Sequence, residues 1–226
     1  KDRNSDQQLV SFDNFKDKGT FMKNKQHLNF NQSAPDLLLM DVDGREVRLS
    51  SLWQKKPLLL AFTRHFGCTQ CKEMLEELVS GKEKINQAGL DIAVILMGSV
   101  EASREFSKKF APGLRCLTDP DRKAYQIYGI ERGGIFQTFL NIDVWRAIRK
   151  STKKGYKVEP PPAGQDAMQM SGIFIINQSG RIVLPYYFDN IADHPTIDLL
   201  LSGVLSTGWD KDFNGPIGPA SLNKKQ

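Results

Sequence analysis

The chain has 226 residues, 40% hydrophobic and 25% charged, a balance that excludes a disordered or collagen-like chain and fits one soluble globular domain with additions. A net charge of +5 permits acidic partners without requiring nucleic acid, and no apolar run approaches the roughly 18 residues that span a bilayer. Three cysteines are too few for a secreted disulfide framework: Cys68 and Cys71 form a close pair and Cys116 stands apart.

Residues 1–33 are polar, with scattered Phe12, Phe15, Phe21 and Phe30, and read as an N-terminal arm. The domain opens at Ala34-Pro35-Asp36. Residues 37–40 and 46–49 flank Asp43-Gly44, a hairpin-type turn, and a short helical turn starts at Ser50. The apolar run at residues 58–62 predicts a buried strand. From Thr69 the pattern turns helical to about Ala88, with Gly89 closing it. Met74, Leu75, Leu78 and Val79 face inward; Lys72, Glu73, Glu76 and Glu77 fall mostly on the solvent side.

Residues 90–97 predict the next strand, and Ser99 caps a helix with Ala102, Phe106 and Phe110 inward. Pro112-Gly113 breaks that helix before a short strand carrying Cys116, and Thr118-Asp119-Pro120 starts another helix. The alternation predicts an α/β domain with a partly parallel sheet. Residues 131–168 read as an insertion, helical through Phe136, Phe139, Leu140, Val144, Trp145 and Ile148, then rich in proline at 160–162. Its basic run (Arg146, Arg149, Lys150, Lys153, Lys154, Lys157) reads first as a solvated helix face, with a patch for an acidic partner as the alternative. Residues 173–176 and 181–186 form a hairpin. Asp193 caps a last helix beginning near Pro195, and residues 208–226, without periodicity, are expected to form a flexible tail.

A CxxC where a buried strand hands over to a helix favours thiol chemistry. Unpaired N–H groups and the helix dipole stabilise an anion there, and a thiol pKa of about 8.5 can fall to roughly 3.5–7.5. Three-residue spacing sets both sulfurs on one side of the helix start, within reach of a disulfide, and Gly67 lets the backbone bend before them. Arg64 is the candidate for steadying the thiolate or a substrate oxygen, with a surface ion pair as its plain alternative. His65 reads as an exposed loop residue before a proton shuttle, and Cys116 as a buried apolar residue before a distant resolving thiol. Zinc on Cys68, Cys71 and His65 lacks a fourth ligand and is a minor alternative. Another is a non-catalytic interaction module using Lys150, Lys153 and Lys154. No cofactor beyond the cysteines is expected. The setting is expected to be cytoplasmic, where CxxC pairs are usually catalytic, with a trimmed, exported chain left open.

Four pieces in order resemble the peroxiredoxin-like branch of the alkyl hydroperoxide reductase/thiol-specific antioxidant family. Ala34-Pro35-Asp36 with Val42-Asp43-Gly44 and Leu49-Ser50 resembles its APxF…DxxGxxxxLS opening. Phe62, Arg64, Cys68 and Cys71 match F-x-R-x-x-x-C-x-x-C. The stretch from Met170 to Ile176 with Gly180-Arg181-Ile182 resembles its hairpin, and Ala192-Asp193-His194-Pro195 its GDHP. The likeness spans residues 34–206. It implies a thioredoxin-like, peroxiredoxin-type α/β fold over residues 34–207: a central mixed sheet flanked by helices, with a helical insertion. It implies a thiol peroxidase or thiol–disulfide oxidoreductase acting on a peroxide or disulfide, recycled by a thioredoxin-type or glutathione-type reductant, with a homodimer left open. In the thioredoxin-like frame Cys68 is the more exposed attacking thiolate and Cys71 resolves; in the peroxiredoxin frame Cys71 takes the first role. The usual P-x-x-x-T-x-x-C is absent from both frames.

Overall fold

The computed structural model describes residues 27–134 and 142–205. Most of the predicted arm, the tail and the first apolar residues of the insertion (Phe136, Phe139, Leu140) lie outside them. At the centre is β3 (Leu58–Phe62), five apolar residues that are all buried. It pairs in parallel with β4 (Asp91–Leu96) and antiparallel with β6 (Gly172–Ile176). A strand covered on both faces reads as a continuous apolar run rather than an alternating one.

Outward from β4 come β5 (Arg115–Thr118), parallel to it, then β1 (Leu38–Asp41) and β2 (Glu46–Arg48), both antiparallel additions. Beyond β6 lies β7 (Ile182–Tyr187), which completes a mixed seven-stranded sheet in the order β2-β1-β5-β4-β3-β6-β7. The parallel β3–β4–β5 steps are bridged by α1 (Thr69–Ser80), α2 (Lys82–Gln87) and α3 (Val100–Phe110). α4 (Lys123–Ile127), α5 (Ile142–Lys153) and α6 (Ile197–Leu205) follow. One core face is aromatic: Phe62 meets Tyr125 at 5.1 Å, Tyr128 at 5.1 Å and Phe174 at 5.6 Å. The Tyr125 hydroxyl, on α4, donates to the carbonyls of Thr63 (2.9 Å) and Ile95 (3.1 Å), tying together the β3 and β4 ends from which the site grows.

Two local expectations need correction. The helix predicted from Thr69 to about Ala88 is two helices, broken at Gly81. The Ile197 side chain of α6 packs against the bare Gly81, its Cδ1 2.0 Å from where a Cβ would stand. Asp193 does not cap α6. Its carboxylate accepts instead from Tyr186 Oη (2.9 Å) and the Asp189 N–H (2.9 Å), while Thr196 Oγ1 accepts from Leu199 N at the helix start. Ser99, by contrast, caps α3 as its sequence predicts, accepting from Ala102 N at 3.3 Å. The last residues of the arm reach β7, where the His27 and Tyr187 rings stack and the Leu28 N–H donates to Tyr187 Oη at 2.7 Å.

Candidate active site

The chain leaves β3 at Phe62 and turns tightly, with the Cys68 N–H donating to the His65 carbonyl at 3.0 Å. Cys68 is then the extended N-cap of α1 (φ −72°, ψ 116°), and its carbonyl accepts the first helical bond from Lys72 N at 3.2 Å. Its sulfur therefore sits at the positive end of a twelve-residue helix, with Cys71 in the first turn. Both are free cysteines.

Arg64 binds both sulfurs. Its backbone N–H donates to Cys71 Sγ at 3.3 Å, and its Nη1 lies 3.5 Å from Cys68 Sγ. The guanidinium is buried and, among the described residues, carries no carboxylate. Nε donates to the Gln169 carbonyl at 2.8 Å, and Nη2 donates to the carbonyl of Ala167. The surface ion pair considered for Arg64 is thus not what it makes. The hydrogen bond from the Cys71 thiol, aided by the Arg64 cation, outweighs burial and lowers Cys68 to about 6. Cys71 moves the other way: burial raises it well above the usual thiol range, and its proton is shared toward Cys68.

The greater exposure expected of Cys68 in the thioredoxin-like frame is only marginal. Cys68 is 5% exposed and Cys71 4%, so neither stands out to solvent. The cause is a cover that the sequence placed only loosely. α5 packs along α1, with Val144 buried and Ile148 half-buried. Ser151 Oγ donates to Glu73 Oε2 (2.6 Å) and accepts from Gln70 Nε2 (3.1 Å), and Lys154 Nζ binds Glu73 Oε1. Further on, Tyr156 Oη donates to Glu76, Glu159 pairs with Lys72, and the Gln165 side chain accepts from Phe66 N at 2.7 Å. Lys72 and Glu73, expected in solvent, are therefore buried against the cover. Burial alone would raise the Glu73 carboxyl, but the bonds from Lys154 and Ser151 hold it below its usual value.

Gly67 matters for close approach as much as for bending. A Cβ on it would stand 2.2 Å from the Glu159 carbonyl oxygen, so only glycine lets the cover's main chain settle there. His65 also departs from expectation: it is buried, not an exposed loop residue. Desolvation, then the Arg64 and Lys72 charges, lowers it to about 4, so the ring is neutral at pH 7, and its Nδ1 is buried without a hydrogen-bond partner among the described residues. Cys116 is buried on β5, its thiol pushed up to about 12 by burial, which matches its plain apolar reading. His194 Nε2 lies 3.8 Å from Glu77 Oε2. The basic run divides: Arg149, Lys150 and Lys153 face solvent, whereas Lys154 is spent on Glu73. Among the described residues no three His, Cys, Asp or Glu side chains group to hold a metal, and no helix is long and apolar enough to cross a membrane.

Between floor and cover is a cavity of about 360 Å³. Ile148, Val158, Pro160, Pro161 and Ile191 make its wall largely apolar; Arg64, His65 and Cys68 bring the polar atoms. Val158 lines it and is exposed, so the cavity reaches the surface there. A sulfur hidden from the outer surface is thereby reachable by a small molecule.

A cysteine pair at the head of the helix after a central strand, in a mixed sheet with a terminal hairpin, defines the thioredoxin-fold thiol proteins. Within them, the AhpC/TSA family model matches residues 30–184, and the chain belongs to that family. It is 30% identical over 183 residues to the mouse protein named peroxiredoxin-like 2C, covering 75% of this chain and 77% of that one. It is 28% identical over 169 residues to a salmon (Salmo salar) prostamide/prostaglandin F synthase, 71% and 80% covered. To a chloroplastic thioredoxin-like protein of Arabidopsis thaliana it is 27% identical over 125 residues, 55% of this chain but only half of that protein. A solved Aquifex aeolicus peroxiredoxin-like protein shares the fold, with a TM-score of 0.56 at 15% identity over 80% of this chain and 88% of the other.

Proposed function

We propose that the chain is a thiol peroxidase in which Cys68 attacks, Cys71 resolves and Arg64 supports the thiolate, with thiol–disulfide exchange at the same pair as its related second activity. The observation that carries this reading is that one buried residue, Arg64, contacts both sulfurs from opposite ends: guanidinium to Cys68, main chain to Cys71. In this reading the Cys68 thiolate takes an oxygen from a hydroperoxide and releases an alcohol. Cys71 then condenses with the sulfenic acid to give a disulfide and water, and a dithiol of the thioredoxin or glutathione type in a reducing compartment restores both thiols. The apolar wall of the cavity favours an organic hydroperoxide over hydrogen peroxide, in keeping with a relative named for making a lipid product.

The test is turnover of cumene hydroperoxide, hydrogen peroxide and a small disulfide by wild type, Cys68→Ser and Cys71→Ser with a thioredoxin recycling system. Cys68→Ser is expected to abolish peroxide turnover. Cys71→Ser should retain one equivalent of Cys68 oxidation and lose recycling. Unchanged thiol chemistry in Cys68→Ser, with partner binding lost on neutralising Lys150, Lys153 and Lys154, would instead favour a non-catalytic interaction module.

A further inference from the structure

The core accounts for one side of α5 and not for the other. Val144, Ile148 and Ser151 recur at helical spacing on the side turned to α1, Val144 and Ser151 buried and Ile148 half-buried. On a 3.6-residue wheel Ile142, Trp145, Arg146, Arg149 and Lys153 fall opposite, with Lys150 beside them, and all six are exposed. Ile142 is 64% exposed and Trp145 61%, two large apolar side chains on a face that otherwise carries cations; the helix has one acid, Asp143. A merely solvated face accounts for the cations but not for the indole and isoleucine set among them. Nor does the apolar surface end at the helix. Trp145 is one turn before Ile148, which lines the cavity over Cys68, and Val158, 63% exposed, lines the same cavity where it reaches the surface. Apolar side chains thus lead from the outer face of α5 into the thiol site.

We propose that the outer face of α5 docks on an anionic membrane surface, delivering to Cys68 a hydroperoxide carried on a phospholipid acyl chain. Clustered Lys and Arg are drawn to the negative surface of an anionic leaflet, and Trp settles at headgroup depth. Long basic side chains reach the phosphates while their stems lie along apolar surface. A helix that combines these lies in the plane of the interface rather than across it. Nucleic acid or an acidic protein would answer the charge, but neither accounts for apolar side chains that continue into a cavity with an oxidisable sulfur. The docking needs only α5; the choice of substrate rests on the peroxidase reading above. The chemistry of that step is unchanged. The Cys68 sulfur bonds the terminal oxygen and gives up two electrons, the O–O bond breaks, and the terminal oxygen's proton reaches the departing oxygen through water. Thiolate and acyl hydroperoxide become sulfenate and acyl alcohol, with one negative charge on each side.

The test uses the full-length protein with vesicles of phosphatidylcholine alone or of phosphatidylcholine with one-quarter phosphatidylserine, each carrying a trace of phosphatidylcholine hydroperoxide. Co-sedimentation reads docking; turnover of the lipid hydroperoxide, compared with cumene hydroperoxide in solution, reads delivery. Wild type is expected to sediment with the phosphatidylserine vesicles only. Arg149→Gln, Lys150→Gln and Lys153→Gln combined should weaken that binding roughly 100-fold, at about fivefold per charge near the surface. Trp145→Ser, which keeps every charge, should weaken it severalfold. Both variants should lose lipid hydroperoxide turnover in step with binding and keep cumene hydroperoxide turnover, which shows that they fold. Three results overturn the docking and leave the peroxidase reading standing: no sedimentation of wild type with phosphatidylserine vesicles, Trp145→Ser binding them as wild type does, or tighter binding to double-stranded DNA or polyglutamate than to vesicles. Docking with cumene hydroperoxide consumed and the lipid hydroperoxide untouched overturns the delivery. Docking in which neither peroxide oxidises Cys68 overturns the peroxidase reading, and the substrate with it, and leaves α5 as a membrane-docking face.

Discussion

β3 and the head of α1 are fastened main chain to main chain, under five consecutive buried apolar residues. The segment at 142–169 above them is fastened mostly side chain to side chain or side chain to carbonyl: Lys72 to Glu159, Glu73 to Ser151 and Lys154, Arg64 to Ala167 and Gln169. Floor and cover enclose one cavity but differ in what it takes to loosen them. Ladder hydrogen bonds over a desolvated core open only with the domain, whereas a cover held by a few polar contacts can lift while the floor stays folded. On the proposed function, a small peroxide is expected to enter beside Val158, and a protein reductant, too large for a cavity of about 360 Å³, to reach Cys68 after the cover moves.

Arg64 belongs to both regions, so its loss is expected to be felt most. Arg64→Met should raise the Cys68 pKa by one unit or more, since a nearby opposite charge shifts a pKa by about 1–3 units. The sign follows from the reactive species. Thiolate persists in wild type at neutral pH and is lost as pH falls through about 6, so iodoacetamide alkylation should rise through that value and then level off. In Arg64→Met the rise should come at higher pH, leaving the rate at pH 7 about twofold lower for a one-unit rise and about tenfold lower for a two-unit rise. An unmoved profile would mean that the helix terminus and Cys71 hold the thiolate without the guanidinium. The same substitution leaves the Ala167 and Gln169 carbonyls unpaired, at about 1–3 kcal/mol for a buried polar group, so the cover should loosen too.

Gly67→Ala separates the regions more cleanly. It removes no polar contact, but its Cβ would collide with the main chain at Glu159 and Pro160, which cannot swing away as a side-chain tip would. Overpacking of this kind costs about 1–3 kcal/mol, and the cover is the part that yields. Cys68 alkylation is expected to quicken severalfold at fixed pH, and reduction of the Cys68–Cys71 disulfide by thioredoxin to quicken more than reduction by a small dithiol. Hydrogen exchange in β3 should stay as in wild type. If β3 exchange accelerates along with alkylation, floor and cover open as one unit.

The floor was legible in the sequence because its signals are local. The apolar run at residues 58–62, the glycine, the paired cysteines and the 3.6-residue periodicity after them all fall within about twenty residues, and the family resemblance supplied the sheet around them. The cover was legible only as an insertion with a helix and a proline-rich loop. Its bonds to the floor join positions far apart in sequence: Lys72 and Glu159 by 87 residues, Glu73 and Ser151 by 78, Arg64 and Gln169 by 105. On a helical wheel Lys72 and Glu73 are polar and take the solvent side; nothing nearby in sequence says that another helix will lie on them. His65 reads as exposed for the same reason: its loop says nothing of the segment around 159–167 that lines one cavity with it.

The smallest expected effect concerns the ion pairs themselves. The Lys72–Glu159 contact joins a buried ammonium to a carboxylate whose side chain is 55% exposed, and Lys154–Glu73 joins a half-exposed ammonium to a buried carboxylate. Each pair has one end in water, where the screening length shrinks from about 10 Å at 0.1 M salt to about 3 Å at 1 M. Pairs of this kind contribute about 0.2–1 kcal/mol, so raising salt over that range should increase Cys68 alkylation by about two- to threefold at constant pH. Apolar burial in the floor does not weaken with added sodium chloride, so β3 exchange should not follow. In Glu159→Gln the salt effect should shrink, because the Lys72 pair is then already gone. A salt effect that survives intact in Glu159→Gln would place the electrostatic hold on Glu73 and Lys154 alone, making the α1–α5 contact, not the proline-rich segment, the hinge on which access to Cys68 turns.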